Sequence, residues 1–334
     1  MIYWTNGNGE VMVKHKYYKR FAFPFNKHEI LTDKTVNIEW FKKYAEIINE
    51  VYCDPNDLGI DVNDMQEYHI QDEVYSYNKQ EILDYFKSLK GIGIKTSLVF
   101  NDIFSDYSHD VIDNFLREMR EYIDILVVPN KEWLIYKKYG YFIKNSVIEI
   151  ATYEEIERGD FDDYDLIYVH DEIIHNHDLY KELKERRNLT LGCLVNNQNC
   201  WTTCPVKKKH YKYISRKGDH IKFVCNFTKN MDLQRLQETV IPKLISEYDY
   251  YLDVIDLYKL QGRRGKQIFR ECIEIIELCY NDTDYHSLFL NKIDTIKWKN
   301  KIRNCGGDCP NCSYCEDLLN KYKIQITNIN DKSV

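Results

Sequence analysis

The chain has 334 residues, a formal net charge of −7 and 44% hydrophobic residues, enough for one large domain or two ordinary ones with a sizeable core. The acidic balance argues against general affinity for nucleic acid, no apolar run reaches membrane-spanning length, and Met1-Ile2-Tyr3-Trp4-Thr5 does not read as a signal peptide, so the expected setting is cytoplasmic with no membrane contact. Eleven cysteines in that setting do not read as a disulfide framework, and an odd number cannot all pair.

Residues 1–19 contain Asn6-Gly7-Asn8-Gly9, a good hairpin turn, and read as a short N-terminal hairpin extension. From residue 20 onward, eight short apolar runs alternate with helical stretches. The runs cover 20–26, 50–53, 95–101, 125–130, 146–152, 166–171, 189–197 and 256–263. Residues 36–50 place Ile38, Phe41, Tyr44, Ala45 and Ile48 on one helical face. Residues 79–89 do the same with Ile82, Tyr85 and Phe86, and residues 109–122 with Ile112, Phe115, Leu116 and Met119. Further helices are expected over 178–187, 232–248 and 266–280, with shorter ones after Asn130 and after Thr152.

Strands alternating with helices imply parallel pairing through right-handed crossovers. Eight such units over residues 20–280 match a closed (β/α)8 TIM-like barrel of the α/β class. An open doubly wound sheet is the alternative. It usually carries a Gly-rich phosphate loop after its first strand, where this chain has Pro24-Phe25-Asn26. Residues 281–334 follow the barrel as a Cys-rich C-terminal tail.

In such a barrel the chemistry gathers at the C-terminal strand ends. Those ends collect Asn26, Cys53, Asn101, Asn130, Asp171, Asn196, Asn197, Lys259 and Arg263. Each asparagine alone is equally an ordinary strand-to-loop boundary; together they would ring one mouth. Lys259 and Arg263 share strand parity and form the expected anion site, with Asn197 assigned to it as well. Lys207, Lys208, Lys209, His210, Lys212, Arg216 and Lys217 read as a solvated face or as a local site for a carboxylate, a phosphate or an RNA backbone. His170-Asp171-Glu172 and His175-x-His177 read as a His–carboxylate metal site or, more plainly, as helix capping. Cys272 and Cys279 fall on one helix and read as core.

The loop after the seventh run holds Cys200, Cys204 and Cys225. A Cys-x3-Cys pair followed by Pro205 turns two thiolates toward one point, and Cys225 ends a short apolar run that lays a third beside them. Cys53, read as facing the mouth, is the expected fourth ligand, with Cys193, read as pointing into the barrel, as the other choice; a buried structural thiol is the alternative for each.

The run Asn199-Cys200-Trp201-Thr202-Thr203-Cys204-Pro205, followed by His210-Tyr211, resembles the Cys-x3-Cys…Tyr segment of the peptidase U32 family. Asn226-Phe227-Thr228-Lys229-Asn230-Met231-Asp232-Leu233 resembles that family's Asn-x-Lys-Asp-Leu-like stretch, and Asp256-Leu257-Tyr258-Lys259-Leu260-Gln261-Gly262-Arg263 its Lys-Ile-Glu-Gly-Arg motif. The matches come in the family's order. The family's Ser-Gly-Arg-Cys signature is missing, and Arg264 follows Gly262-Arg263. The resemblance implies a TIM-like barrel with a four-iron four-sulfur cluster held by cysteines near the mouth. It implies an oxidoreductase, an oxygen-independent hydroxylase acting on an RNA base or a small aromatic quinone precursor. The family's older label implies a peptidase instead.

Cys305-Gly-Gly-Asp-Cys309-Pro-Asn-Cys312-Ser-Tyr-Cys315 places four thiols in one short turn-rich stretch. The spacing suits ferredoxin-type binding better than a zinc ribbon, so a second iron–sulfur cluster is expected, with zinc as the alternative. Cys305-x3-Cys309-x2-Cys312 also matches the spacing of a radical S-adenosylmethionine enzyme, but it follows the whole barrel rather than the first strand. The remaining reading is a non-catalytic metal-binding partner of another barrel protein.

Overall fold

The structure, a computed structural model, describes residues 2–5, 11–58, 78–101, 109–174, 176–195, 251–262, 265–281, 313 and 317. The N-terminal strands β1 (Ile2–Thr5) and β2 (Val11–Lys14) pair antiparallel, as the turn residues between them imply. Eight parallel strands follow: β3 (Phe21–Pro24), β4 (Ile48–Cys53), β5 (Lys95–Val99), β6 (Ile125–Val128), β7 (Phe142–Asn145), β8 (Ile167–Tyr168), β9 (Leu191–Leu194) and β10 (Leu257–Lys259). Their ladders run in the order β7-β6-β5-β4-β3-β10-β9-β8. A parallel bridge from Lys144 to Leu166 joins the two ends, so the sheet closes into a (β/α)8 TIM-like barrel. Helices α1 (Ile38–Tyr44), α2 (Lys79–Gly91), α3 (His109–Met119), α4 (Tyr153–Glu157), α5 (His177–Arg187) and α6 (Lys266–Tyr280) lie between or after the strands. Side-chain caps start several of them: Asn37 accepts from Trp40 N–H, Asn78 from Gln80 N–H, and Thr152 forms a capping box with Glu155.

One strand lies earlier than its sequence suggested. The fifth barrel strand is Phe142–Asn145, and the expected run at 146–152 forms a 3-10 turn, Val147–Glu149, that rejoins the sheet only at the Ala151–Val169 bridge. Lys144 and Asn145 are polar residues in a barrel strand. Both are buried, because each has a partner inside the fold.

The register separates two faces. Phe21 and Phe23, Val51 and Cys53, and Leu191 and Cys193 turn outward into the main core between sheet and helices. Ala22, Tyr52, Val99, Val127, Leu166, Tyr168 and Leu257 form a second cluster inside the barrel. Following the ladders from Ala22 through Glu50 and Lys95 round the ring ends eight residues before the start, the shear of this barrel class. That stagger sorts the interior into layers contributed by alternate strands. Glu50, Ile125, Leu166 and Leu257 form the lowest, Ala22, Ser97, Lys144 and Gly192 the middle, and Tyr52, Val127, Tyr168 and Lys259 the uppermost. Gly192 is required there: a Cβ would lie 2.9 Å from the Tyr168 ring.

The face opposite the mouth carries a repeated clamp. Asp124, Asp165 and Asp256, just before β6, β8 and β10, accept from the N–H of Thr96, Ile143 and Leu191 on the neighbouring strand, at 3.1, 2.7 and 2.9 Å. Each also pairs with a lysine in the last turn of a preceding helix: Lys90 at 2.9 Å, Lys137 at 2.8 Å and Lys184 at 2.8 Å. A cation is favoured at a helix C-terminus. The charges on this face are thus used to fix strands in place.

His15 ties the N-terminal segment to the end of α6. Its Nδ1 accepts from Tyr17 N–H at 3.1 Å, so its Nε2 must donate to the Tyr280 carbonyl at 2.9 Å. That pattern needs the neutral ring, and burial holds the imidazole below its ordinary range. The native state therefore takes up a proton less readily than the unfolded chain. This contribution to stability is complete above about pH 6.5 and is lost as the pH falls through the folded value. Unfolding followed from pH 7.5 down to about 5 should lose stability more steeply in the parent than in His15→Gln. Parallel curves would show that the ring does not report on folding.

Candidate functional site

Lys259 ends β10 at the mouth side of the barrel, where the sequence placed an anion site. It is 4% exposed. Its Nζ lies 4.7 Å from the centre of the Tyr52 ring and 5.2 Å from that of Tyr168. Both rings belong to its own interior layer, so an ammonium and two aromatic faces make the floor of the mouth. The Tyr52 hydroxyl is held by the Leu260 carbonyl. Beyond Lys259 the chain passes Gly262, where a Cβ would meet Cys272 Sγ at 2.7 Å and Pro24 at 3.1 Å, so only glycine fits this exit against α6 and β3. Arg263 and Asn197, the other expected anion-binding residues, lie outside the described residues.

Beneath that floor is a charged pair that sequence reasoning missed. Lys144 in the middle layer donates to Glu50 in the layer below, and each side chain is 1% exposed. Burial pushes the Lys144 ammonium below its ordinary range, against the opposing pull of Glu50. Glu50 did carry a signal, since it shares strand parity with Tyr52. Lys144 fell just before the run taken as the fifth strand.

The strand-end asparagines act as local ties. Asn26 accepts from Glu29 N–H at 3.2 Å, Asn130 caps the following 3-10 turn through Glu132 N–H at 3.0 Å, and Asn101 accepts from the Ser146 hydroxyl at 2.9 Å. The plain boundary reading holds for these three. The capping reading also fits the histidine segment: His170 Nδ1 accepts from Glu172 N–H at 3.2 Å, and Glu172 accepts from Tyr153 N–H and the Tyr180 hydroxyl. His177 faces Asp178 at 2.8 Å and Asp253 at 3.0 Å. A separate trio, His28, Glu29 and Asp33, brings three donor atoms within 4.8 Å of one another. Lys266 already reaches it, 2.9 Å from Asp33 and 3.7 Å from Glu29, and holds the Asp33 carboxyl below its usual range.

The cysteines divide in two. Cys53 and Cys193 are buried in the outer layer between sheet and helices, on the face opposite to Tyr52 and Tyr168. The expectation that they face the mouth or the barrel interior is corrected: strand alternation turns them away from it. Cys272 and Cys279 are core residues of α6, as expected, and burial pushes the Cys279 thiol up. Cys200, Cys204 and Cys225, and the tail set Cys305, Cys309, Cys312 and Cys315, lie outside the described residues. The segment carrying the first three leaves from the end of β9, where Leu194 is the register partner of Lys259.

No helix among the described residues is long and apolar enough to cross a membrane. No family model and no curated protein matches the chain. Among solved structures it is similar to a U32 peptidase, with 14% identity over 78% of this chain and all of that one, at a TM-score of 0.45. A GH113 β-1,4-mannanase gives 10% identity over 88% of this chain and all of its own, at a TM-score of 0.36. Xylanase 10B from Thermotoga maritima gives 14% identity over 80% of this chain and 97% of its own, at a TM-score of 0.27.

Proposed function

We propose that this chain is an iron–sulfur barrel protein, an oxidoreductase of the hydroxylase kind, acting on an RNA base or a small aromatic molecule with an anionic group. Cys200, Cys204 and Cys225 hold the four-iron four-sulfur cluster, and Lys259, Arg263 and Asn197 bind the anionic part of the substrate. The observation that carries this reading is Lys259, a buried ammonium between two tyrosine rings at the mouth, register partner of the strand end from which the cysteine segment departs. Cys200 follows Val195, the last described residue there, after only a few residues. A three-thiolate set fits such a cluster and leaves one iron open, because Cys53 and Cys193 face away. When bound, the cluster supplies electron transfer and a site for an oxygen ligand. Lys259 orients the substrate, and the aromatic faces beside it suit a planar ring. The tail cysteines Cys305, Cys309, Cys312 and Cys315 hold a second cluster, or zinc, and thiol-rich ligand sets suit a reducing compartment such as the cytoplasm.

Anaerobic purification with iron and sulfide analysis tests this directly. Cys204→Ser should lose iron and charge-transfer absorption, while Cys53→Ser and Cys193→Ser should keep both. Unchanged iron in Cys204→Ser would sink the mouth cluster. Lys259→Met should leave the iron in place and weaken binding of the anionic substrate.

A further inference from the structure

The interior of a barrel of this class is normally filled by apolar side chains. Here the middle layer holds Ala22, Ser97, Lys144 and Gly192, with Glu50 below and Tyr168 above. Ser97 Oγ and Tyr168 Oη are fully buried, and no group among the described residues hydrogen-bonds either of them. By strand parity both face the barrel interior, as does Lys144, whose Nζ lies 5.9 Å from the Tyr168 ring centre. An ammonium has three donors, and Glu50 accepts from only one side of it. A buried hydroxyl without a partner forfeits its hydration with nothing in return. Polar groups that converge in an interior of this kind are bridged by ordered water.

We propose that water held by Ser97 Oγ, Tyr168 Oη and Lys144 Nζ forms a proton path from the buried Lys144–Glu50 pair to the floor of the mouth. A proton leaves the Lys144 ammonium for the water, the water passes one to the Tyr168 oxygen, and the Tyr168 hydroxyl proton passes to a solvent water on the mouth side; Lys259, an ammonium 5.2 Å from the same ring centre, does not accept it. Lys144 is left as the neutral amine beside Glu50. The reverse sequence restores it, and no electrons move. Burial, which lowers the proton affinity of Lys144, makes that release easier. The assignment is independent of any metal. It makes Tyr168 the relay residue, Ser97 a positioning residue that holds the water, and the Lys144–Glu50 pair the proton store of the site.

The test is the exchange of the Lys144 ammonium protons with solvent, read by NMR on the full chain labelled with nitrogen-15 lysine. The Lys144 signal is identified by its loss in the Glu50→Leu/Lys144→Met double variant. If the path runs through the hydroxyls, Tyr168→Phe and Ser97→Ala should each slow exchange by about tenfold, the scale of one lost hydrogen bond. Simple loosening of the barrel would instead speed it. Exchange that is unchanged or faster in both variants overturns the proposal. Should Tyr168→Phe fail to fold, Ser97→Ala carries the same reading alone.

Discussion

Glu50→Leu should destabilise the barrel by about 3–5 kcal/mol, among the largest effects expected of any single substitution in the chain. It leaves the Lys144 ammonium inside a layer that includes Ala22, Ser97 and Gly192, with no counter-charge among its hydrogen-bond partners. A domain stable by about 5–15 kcal/mol would survive this only marginally. Loss of Glu50 removes the interaction that raises the Lys144 proton affinity, so desolvation lowers it further. The unfolded chain then binds the proton more tightly than the native one, and the variant should gain stability as the pH rises toward about 10.4. Adding Lys144→Met should recover most of the loss, since two apolar side chains replace two buried charges. Denaturant unfolding of the two variants checks both parts. A single variant within about 0.5 kcal/mol of the parent would mean that bulk solvent hydrates the Lys144 ammonium in the native state.

That recovery bears on why the pair is there. A buried ion pair is a poor way to stabilise a core, because desolvation offsets most of the attraction. The clamps on the opposite face contrast with it. Asp124, Asp165 and Asp256 each satisfy a strand N–H and a helix-end lysine, which is structural use of charge at partly exposed sites. Glu50, Lys144 and Lys259 instead point into the barrel interior. Charge sorted this way, fixing strands on one face and left unexplained by stability inside the barrel, is what the proposed function calls for.

The alternation of apolar runs with amphipathic stretches made the barrel readable from the chain itself. The limits 266–280 of the last helix and the start of the 95–101 strand coincide with the structure. Reading failed where polarity and burial part company. Lys144 and Asn145 hid the fifth strand because strand patterns are sought in apolar residues, and burial of these two depends on partners far along the chain. The facing of Cys53 and Cys193 was misjudged for a related reason: inward and outward sides of a doubly covered strand are both apolar, so the sequence holds no alternation to fix them. Lys259 was found because it ends a strand. The rings that flank it come from Tyr52 and Tyr168, on strands far from it in sequence, and no local pattern announces them.

Asn145 closes the barrel, and its loss should open the seam between β7 and β8. Only one backbone bridge, Lys144 to Leu166, joins the two strands before the chain detours through Val147–Glu149. Ile167 N–H and Val169 N–H turn toward β9, where Thr190 and Gly192 accept them. Tyr168 N–H turns the other way, toward a strand that has already ended. The Asn145 side chain stands in for the missing strand: its Oδ1 accepts from Tyr168 N–H, and its Nδ2 donates to the Tyr168 carbonyl at 3.0 Å and to the Glu149 carbonyl at 2.7 Å. Asn145→Ala leaves the buried Tyr168 N–H without an acceptor and should cost about 2–4 kcal/mol. Asn145→Asp keeps the acceptor but sets a carboxylate against two carbonyl oxygens, so it should be no better than alanine at neutral pH. Hydrogen exchange gives the local readout. The Tyr168 amide should exchange far faster in Asn145→Ala, while amides in the β4–β5 ladder keep their protection. Equal protection at Tyr168 in parent and variant would mean that the backbone closes the barrel without this side chain.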